Sequence, residues 1–164
     1  MKLLLLCAAV AGFCTSAFAR IGETESQLIS RFGQPLSAEP HRVASHGLVF
    51  ECGTSFIFVM GDWTITCNVI DGQCAQIAYS KIGAWDEENF DTILKANVAG
   101  GKWTELLSPS VRQVTRKWKR DDGIVAHWVL GTLTLTSPLY ERGKAMAEEK
   151  ARAAEQLAKS GTTS

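Results

Sequence analysis

The most reactive side chains in this sequence are its five cysteines; Cys7 and Cys14 lie in the N-terminal segment, and the other three, Cys52, Cys67 and Cys74, fall within one apolar run from Phe50 to Tyr79. A nucleophilic thiol needs a base beside it and a third group to orient that base. The alternation of the run places no histidine next to Cys52. There is no Cys-x-x-Cys pair, no Gly-rich phosphate loop and no His-Glu zinc motif. His41 and His46 lie between Ser37 and Gly47, a stretch that reads as a loop. They are two ligands where zinc needs three or four, with no Asp or Cys pair nearby to complete a set. Glu87, Glu88 and Asp91 make a carboxylate cluster, but they sit at the start of a predicted helix, where acidic side chains pair with the helix dipole. The sequence thus reads as a non-enzymatic chain with no metal and no cofactor. The alternative is a small secreted hydrolase or thiol-redox protein using Cys74 or a loop histidine.

Binding chemistry is better represented. Lys117, Lys119, Arg120 and His127 form the most polar exposed patch the pattern allows. Such a patch suits an anionic partner, although lysines on an outer strand also guard a sheet edge against aggregation. Trp63, Trp118 and Trp128 fall on inner strand faces. Trp85 and Trp103 flank a helix outside the strand pattern, which makes them candidate anchors for a partner.

These residues are positioned by antiparallel strands. Phe56, Phe58 and Met60 alternate with other residues, then Trp63, Ile65, Cys67 and Val69 after Gly61-Asp62, then Ala75, Ile77 and Tyr79 after Asp71-Gly72. Period-two alternation broken by Gly-Asp and Asp-Gly is the signature of a β-meander with one buried face. A three-residue turn over Ile70-Asp71-Gly72 pairs Cys67 with Ala75, Ile65 with Ile77 and Trp63 with Tyr79, and gathers the apolar residues on one face. A two-residue turn inverts one strand relative to the other. A further turn at Gly53-Thr54-Ser55 sets Leu48, Phe50 and Cys52 opposite Met60, Phe58 and Phe56. In that register Cys52 and Cys67 share a face but stand roughly 9–10 Å apart, too far for a disulfide. Cys74 faces the other way, so a Cys67–Cys74 bridge requires the two-residue turn. Further on, Asp121-Asp122-Gly123 predicts a hairpin with Trp118 opposite Ala126 and Arg116 opposite Trp128. Val114, Trp118, Ile124 and Trp128 lie inside, and Lys117, Lys119 and His127 outside. Leu133 and Leu135, alternating with threonines, make another strand.

Two short helices should cover the apolar face. Thr24 and Gln27 form a capping box, Leu28, Ile29 and Phe32 a stripe, and Gly33 and Pro35 an exit. The second helix runs roughly from Asp86, its N-cap, to Val98, with Phe90, Ile93, Leu94 and Val98 buried. The spacing of Gly22, Thr24, Gln27, Leu28, Phe32, Gly33 and Pro35 resembles the opening helix of the SmpA/OmlA (BamE) family of small bacterial envelope proteins, a module also found in the β-lactamase inhibitor protein. The resemblance covers about fourteen residues. It implies a helix preceding a short antiparallel sheet, and a module that binds other proteins through a sheet or loop surface.

Lys2, the apolar stretch Leu3–Phe13 and Ala17-Phe18-Ala19 make residues 1–19 a signal peptide, with the mature chain starting at Arg20. The apolar stretch is too short to span a bilayer, and no transmembrane segment is expected after its removal. Formal net charge is zero, which gives no reason to expect nucleic acid as a partner. Residues 20–138 are expected to form one α+β domain of two helix-plus-antiparallel-sheet (meander) units. Residues 139–164, rich in Ala, Glu and Lys, should form a solvated helical tail with a disordered end. The expectation is an exported protein, periplasmic or extracellular, whose partner is another envelope or secreted protein.

Overall fold

The computed structural model describes residues 18–106 and 115–161; most of the predicted leader, together with Val114 and the last three residues of the tail, lies outside that range. In chain order the elements are α1 (Glu25–Phe32), β1 (Ser37–Ser45), β2 (Leu48–Met60), β3 (Trp63–Ile70), β4 (Gln73–Lys81), α2 (Glu87–Ala96), β5 (Trp103–Glu105), β6 (Thr115–Arg120), β7 (Val125–Val129), β8 (Thr132–Thr136) and α3 (Pro138–Gly161). The class is α+β, as the sequence indicated. All eight strands belong to one antiparallel sheet ordered β1-β2-β3-β4-β8-β7-β6-β5. β8 pairs directly with β4, so the two meanders share one continuous ladder, where the sequence pattern leaves one sheet or two open.

The helix signals hold in detail. Thr24 and Gln27 satisfy each other's backbone N–H groups at the start of α1, and Asp86 and Asn89 do the same for α2. Leu28 of α1 and Phe90, Ile93 and Leu94 of α2 are buried against Phe56, Phe58, Ile65, Cys67, Ile77, Tyr79, Trp118, Leu133 and Leu135. Val98, expected on that stripe, lies beyond the helix and is exposed.

The strand register needed more correction. Ser37–Gly47 is not a loop; most of it is an edge strand, β1, joined to β2 by His46-Gly47, both at positive φ. Pro40 is tolerated there because an edge strand has one side free of ladder bonds. Gly53 does not turn the chain. It sits at a bulge in β2, where the β1–β2 register slips by one residue between Pro40 and Arg42. The slip inverts the first part of β2, so Phe50 and Cys52 face away from Phe56 and Phe58. The β3–β4 turn has two residues, Asp71-Gly72, with φ of 49° and 75°. A second slip next to Val69, with Ala75 the extra residue, compensates for it. Trp63, Ile65, Cys67, Ile77 and Tyr79 therefore share a face as expected. Their partners are displaced by two, however: Ile65 pairs with Tyr79, Cys67 with Ile77 and Trp63 with Lys81. The β6–β7 hairpin keeps the expected register, with Trp118 opposite Ala126 and Arg116 opposite Trp128.

The inverted part of β2 requires its own cover, and α3 supplies it. Tyr140 is buried with Phe50, Cys52, Ile70 and Ala75, and Leu139, Ala147 and Ala151 pack against them. The front of α3 is thus a docked helix, and only residues 152–160 are exposed throughout, as the whole tail was expected to be.

Candidate functional site

Because α1 and α2 cover one face of the sheet and α3 covers a corner of the other, most of the second face has no helix over it among the described residues. Register defines its surface. One cross-strand row runs Ile57, Thr66, Ala78, Thr134, His127, Lys117. A second runs Val59, Thr64, Ser80, Thr132, Val129, Thr115. A third runs Ser55, Asn68, Gln76, Thr136, Val125, Lys119, Thr104. Small β-branched and hydroxyl side chains dominate all three rows, as suits a pleated surface that remains in contact with water. Hydroxyls pair across strands: Ser80 with Thr132 at 3.0 Å, and Gln76 Nε2 donating to Thr136 Oγ1 at 3.2 Å.

The expected basic patch lies at one end of this face. Lys117 is directly opposite His127, and Lys119 is one pair along. The Thr115 hydroxyl and His127 Nε2 are 2.9 Å apart, which fixes the imidazole against the sheet. Arg120 does not belong to the patch. It points to the helix-covered side and is buried, its Nε and Nη2 held by the Asp122 carboxylate at 2.8 and 2.5 Å and its Nη1 donating to the Asn97 carbonyl. That hydrogen bond from Arg120 holds the Asp122 carboxyl below its ordinary range. The strand alternation already grouped Arg120 with Arg116 and Trp118, which was the signal to set it apart from the lysines.

Trp85 and Trp103 lie on the opposite side of the sheet from the lysines, so the five candidate residues do not form one surface. Trp85 is half-buried. Its Nε1 donates to the Gly131 carbonyl at 3.1 Å, and its ring stacks on Phe90 and meets Trp63 edge-on. Trp103 donates to the Leu94 carbonyl at 2.9 Å and carries the Arg120 guanidinium 5.7 Å from its ring. Both close the ends of α2 onto the sheet. Arg116, which sequence reasoning passed over, lies over both the Phe90 and Trp118 rings and pairs with Glu87 and Glu105.

Under α3 there is a polar seam with no sequence signature. His41 Nε2 meets the Tyr140 hydroxyl at 2.9 Å, and Asn68 Nδ2 donates to Gln76 Oε1 at 2.8 Å. Burial pushes His41 below its ordinary pKa. Among the described residues, Asn68 Oδ1 and Trp128 Nε1 are the buried side-chain atoms without a partner. Thiol chemistry is poorly placed. Cys74 is buried, and the neighbouring Cys67 thiol together with burial pushes its thiol well up, away from the reactive thiolate. Cys52 is raised by burial, against the opposing charge of Lys144. His41 is on the α3 side, away from Cys74. Among the described residues no three His, Cys, Asp or Glu side chains converge on a metal position, and no helix is long and apolar enough to cross a membrane.

No protein-family model matches the chain, and no curated protein is similar to it at a significant level. Two solved structures do match. One is a cysteine-rich secretory protein from Staphylococcus aureus subsp. aureus Mu50, with 11% identity and a TM-score of 0.45 over 72% of this chain and 43% of that one. The other is an extracellular protein containing an SCP domain from Bacillus anthracis str. Ames, with 13% identity and a TM-score of 0.43 over 73% of this chain and 44% of that one. The chain spans less than half the length of each. The resemblance to the SmpA/OmlA family is accordingly corrected: no family model supports it. The residues that suggested it are explained locally, since Gly22 and Gly33 take positive φ, Thr24 and Gln27 cap α1, and Pro35 follows its exit.

Proposed function

We propose that this chain is an exported, non-enzymatic protein-binding module that engages its partner with the open face of the sheet. The observation that carries the reading is the uncovered second face, with its rows of Thr and Ser side chains and Lys117, Lys119 and His127 at one end. A partner surface there would lay its own polar groups against the hydroxyl rows and its acidic groups against the lysines. Electrostatic matching of this kind sets approach and orientation more than it sets affinity. The predicted leader supports export, and the partner is then another envelope or secreted protein.

The test is cross-linking of the processed protein in its own compartment, comparing wild type with Lys117→Glu/Lys119→Glu and with Thr134→Arg. Thr134 lies in the middle of the face, paired with Ala78 and His127. Both variants should fold, because all three side chains project away from the core, and both should lose the captured neighbour. Undiminished capture by well-folded Thr134→Arg sinks the proposal, whatever the lysine variant does.

A further inference from the structure

Two of the three cysteines beyond the predicted leader are brought to one face by the two-residue turn of the β3–β4 hairpin. The Asp71-Gly72 turn sets Cys74 opposite Val69, on the face that carries Cys67. Ala75, the extra residue of the bulge, points to the α3 side and joins Phe50, Cys52 and Ile70. Cys74 turns into the other core, beside Val69, its register partner, and next to Cys67. The two residues are 0% and 1% exposed and stand at diagonal positions of adjacent strands in one core, and the Cys74 thiol reaches the Gln76 carbonyl at 3.6 Å. Both are reduced in the structure, as is Cys52, which lies on the opposite face under α3. A three-residue turn would leave Cys67 and Cys74 on different faces. The turn, not the bulge, is what puts them on one side.

We infer that Cys67 and Cys74 form a cross-strand disulfide when the protein folds in an oxidising compartment, and that Cys52 remains the odd free thiol. The oxidant is a disulfide, either a small one such as oxidised glutathione or that of a thiol oxidoreductase. One cysteine thiolate attacks a sulfur of the oxidant, whose S–S bond breaks and releases one thiol. The second cysteine thiolate then attacks the protein sulfur of the mixed disulfide and releases the other thiol. The cysteine pair gives up two electrons and two protons, and the oxidant leaves as two thiols. With both sulfurs buried in the finished fold, exchange takes place before β3 and β4 close. The bond then staples the hairpin across Asp71-Gly72, locking the turn that sets the register of the meander's last strand.

The sequence provides a clean assay. Cleavage before aspartates places Cys67 in residues 62–70, Cys74 in residues 71–85 and Cys52 in a fragment ending at residue 61. The full chain is unfolded under reducing conditions, refolded in a mixture of oxidised and reduced glutathione, and blocked with iodoacetamide in denaturant. It is then cleaved and weighed before and after reduction. The expected product is fragment 62–70 joined to fragment 71–85, about 2 Da lighter than their sum, which separates on reduction, with Cys52 carrying the alkyl group. Cys52→Ser should leave that species unchanged, and Cys67→Ser should abolish it. Fragments 62–70 and 71–85 recovered separately and alkylated would overturn the inference, as would either of them joined to the Cys52 fragment. The wild-type map decides alone if a variant fails to fold.

Discussion

Replacing Gly53 with alanine tests the bulge on which both faces of the sheet depend. Gly53 has φ of 102°, outside the region that L-residues favour, and a Cβ built on it would fall on the Val69 carbonyl oxygen, closer than real Cβ contacts come. The conformational penalty at positive φ is about 1–2 kcal/mol. The clash adds to it, because Val69 is backbone and cannot rotate away. To relieve it, β2 must move off β3 next to the Thr54–Val69 pair, loosening one or two ladder bonds at about 1 kcal/mol each. The sum is about 2–4 kcal/mol, a large part of the 5–15 kcal/mol that holds a typical domain together. Gly47 is the control. Its φ is 81°, but nothing lies within 4 Å of its added Cβ, so Gly47→Ala should cost only the conformational part. Urea titration of both variants, read by tryptophan fluorescence, gives the difference directly. If Gly53→Ala unfolds within about 0.5 kcal/mol of Gly47→Ala, the close approach is not real and the account of why β2 inverts fails with it.

Two further outcomes can be measured on the same material. Leu28 is the only fully buried side chain of α1, and Leu28→Ala should cost about 2–5 kcal/mol, with the midpoint of urea unfolding falling accordingly. His41 has its folded pKa lowered by burial, so the unfolded chain takes up the proton more readily; stability from this group is complete above the ordinary histidine pKa and declines as pH falls through and below it. Thermal unfolding from pH 7.5 to 5.5 should therefore show a fall in midpoint that is shallower in His41→Gln, and an equal slope in the two proteins refutes the assignment.

What the sequence made legible follows from what has a local signature. The capping boxes of α1 and α2 are carried by side chains three residues apart, and the β6–β7 hairpin is fixed by Asp121-Asp122-Gly123, so all three were readable. The outward lysines were readable for the same reason, since alternation from a correctly placed turn assigns Lys117, Lys119 and His127 to one face. Bulges have no such signature. At β3–β4 the slip of the turn and the slip at Ala75 cancel, so Ile77 and Tyr79 fall on the expected face with other partners, while Ala75 and Cys74 exchange faces. At Gly53 nothing cancels the slip, and Phe50 and Cys52 went to the wrong side. β1 was hidden by Pro40 and by its polar, mostly exposed residues, which an edge strand allows. Trp85 and Trp103 stand outside the strand pattern because the atoms their indoles meet, the Gly131 and Leu94 carbonyls, belong to the backbone and no side-chain pattern reveals them.

The seam between β4 and β8 also has a kinetic meaning. Every other ladder with its residues described on both sides of the connection closes over a tight turn of two to four residues, but the contacts of this one, Gln76 with Thr136 and Ser80 with Thr132, join positions 60 and 52 residues apart. Ordering that much intervening chain is the largest entropic step in the assembly of the sheet. The first meander and the β6–β8 ladder can each zip from their own hairpins, and the rate at which the whole molecule appears is governed by the moment their two inner edges meet.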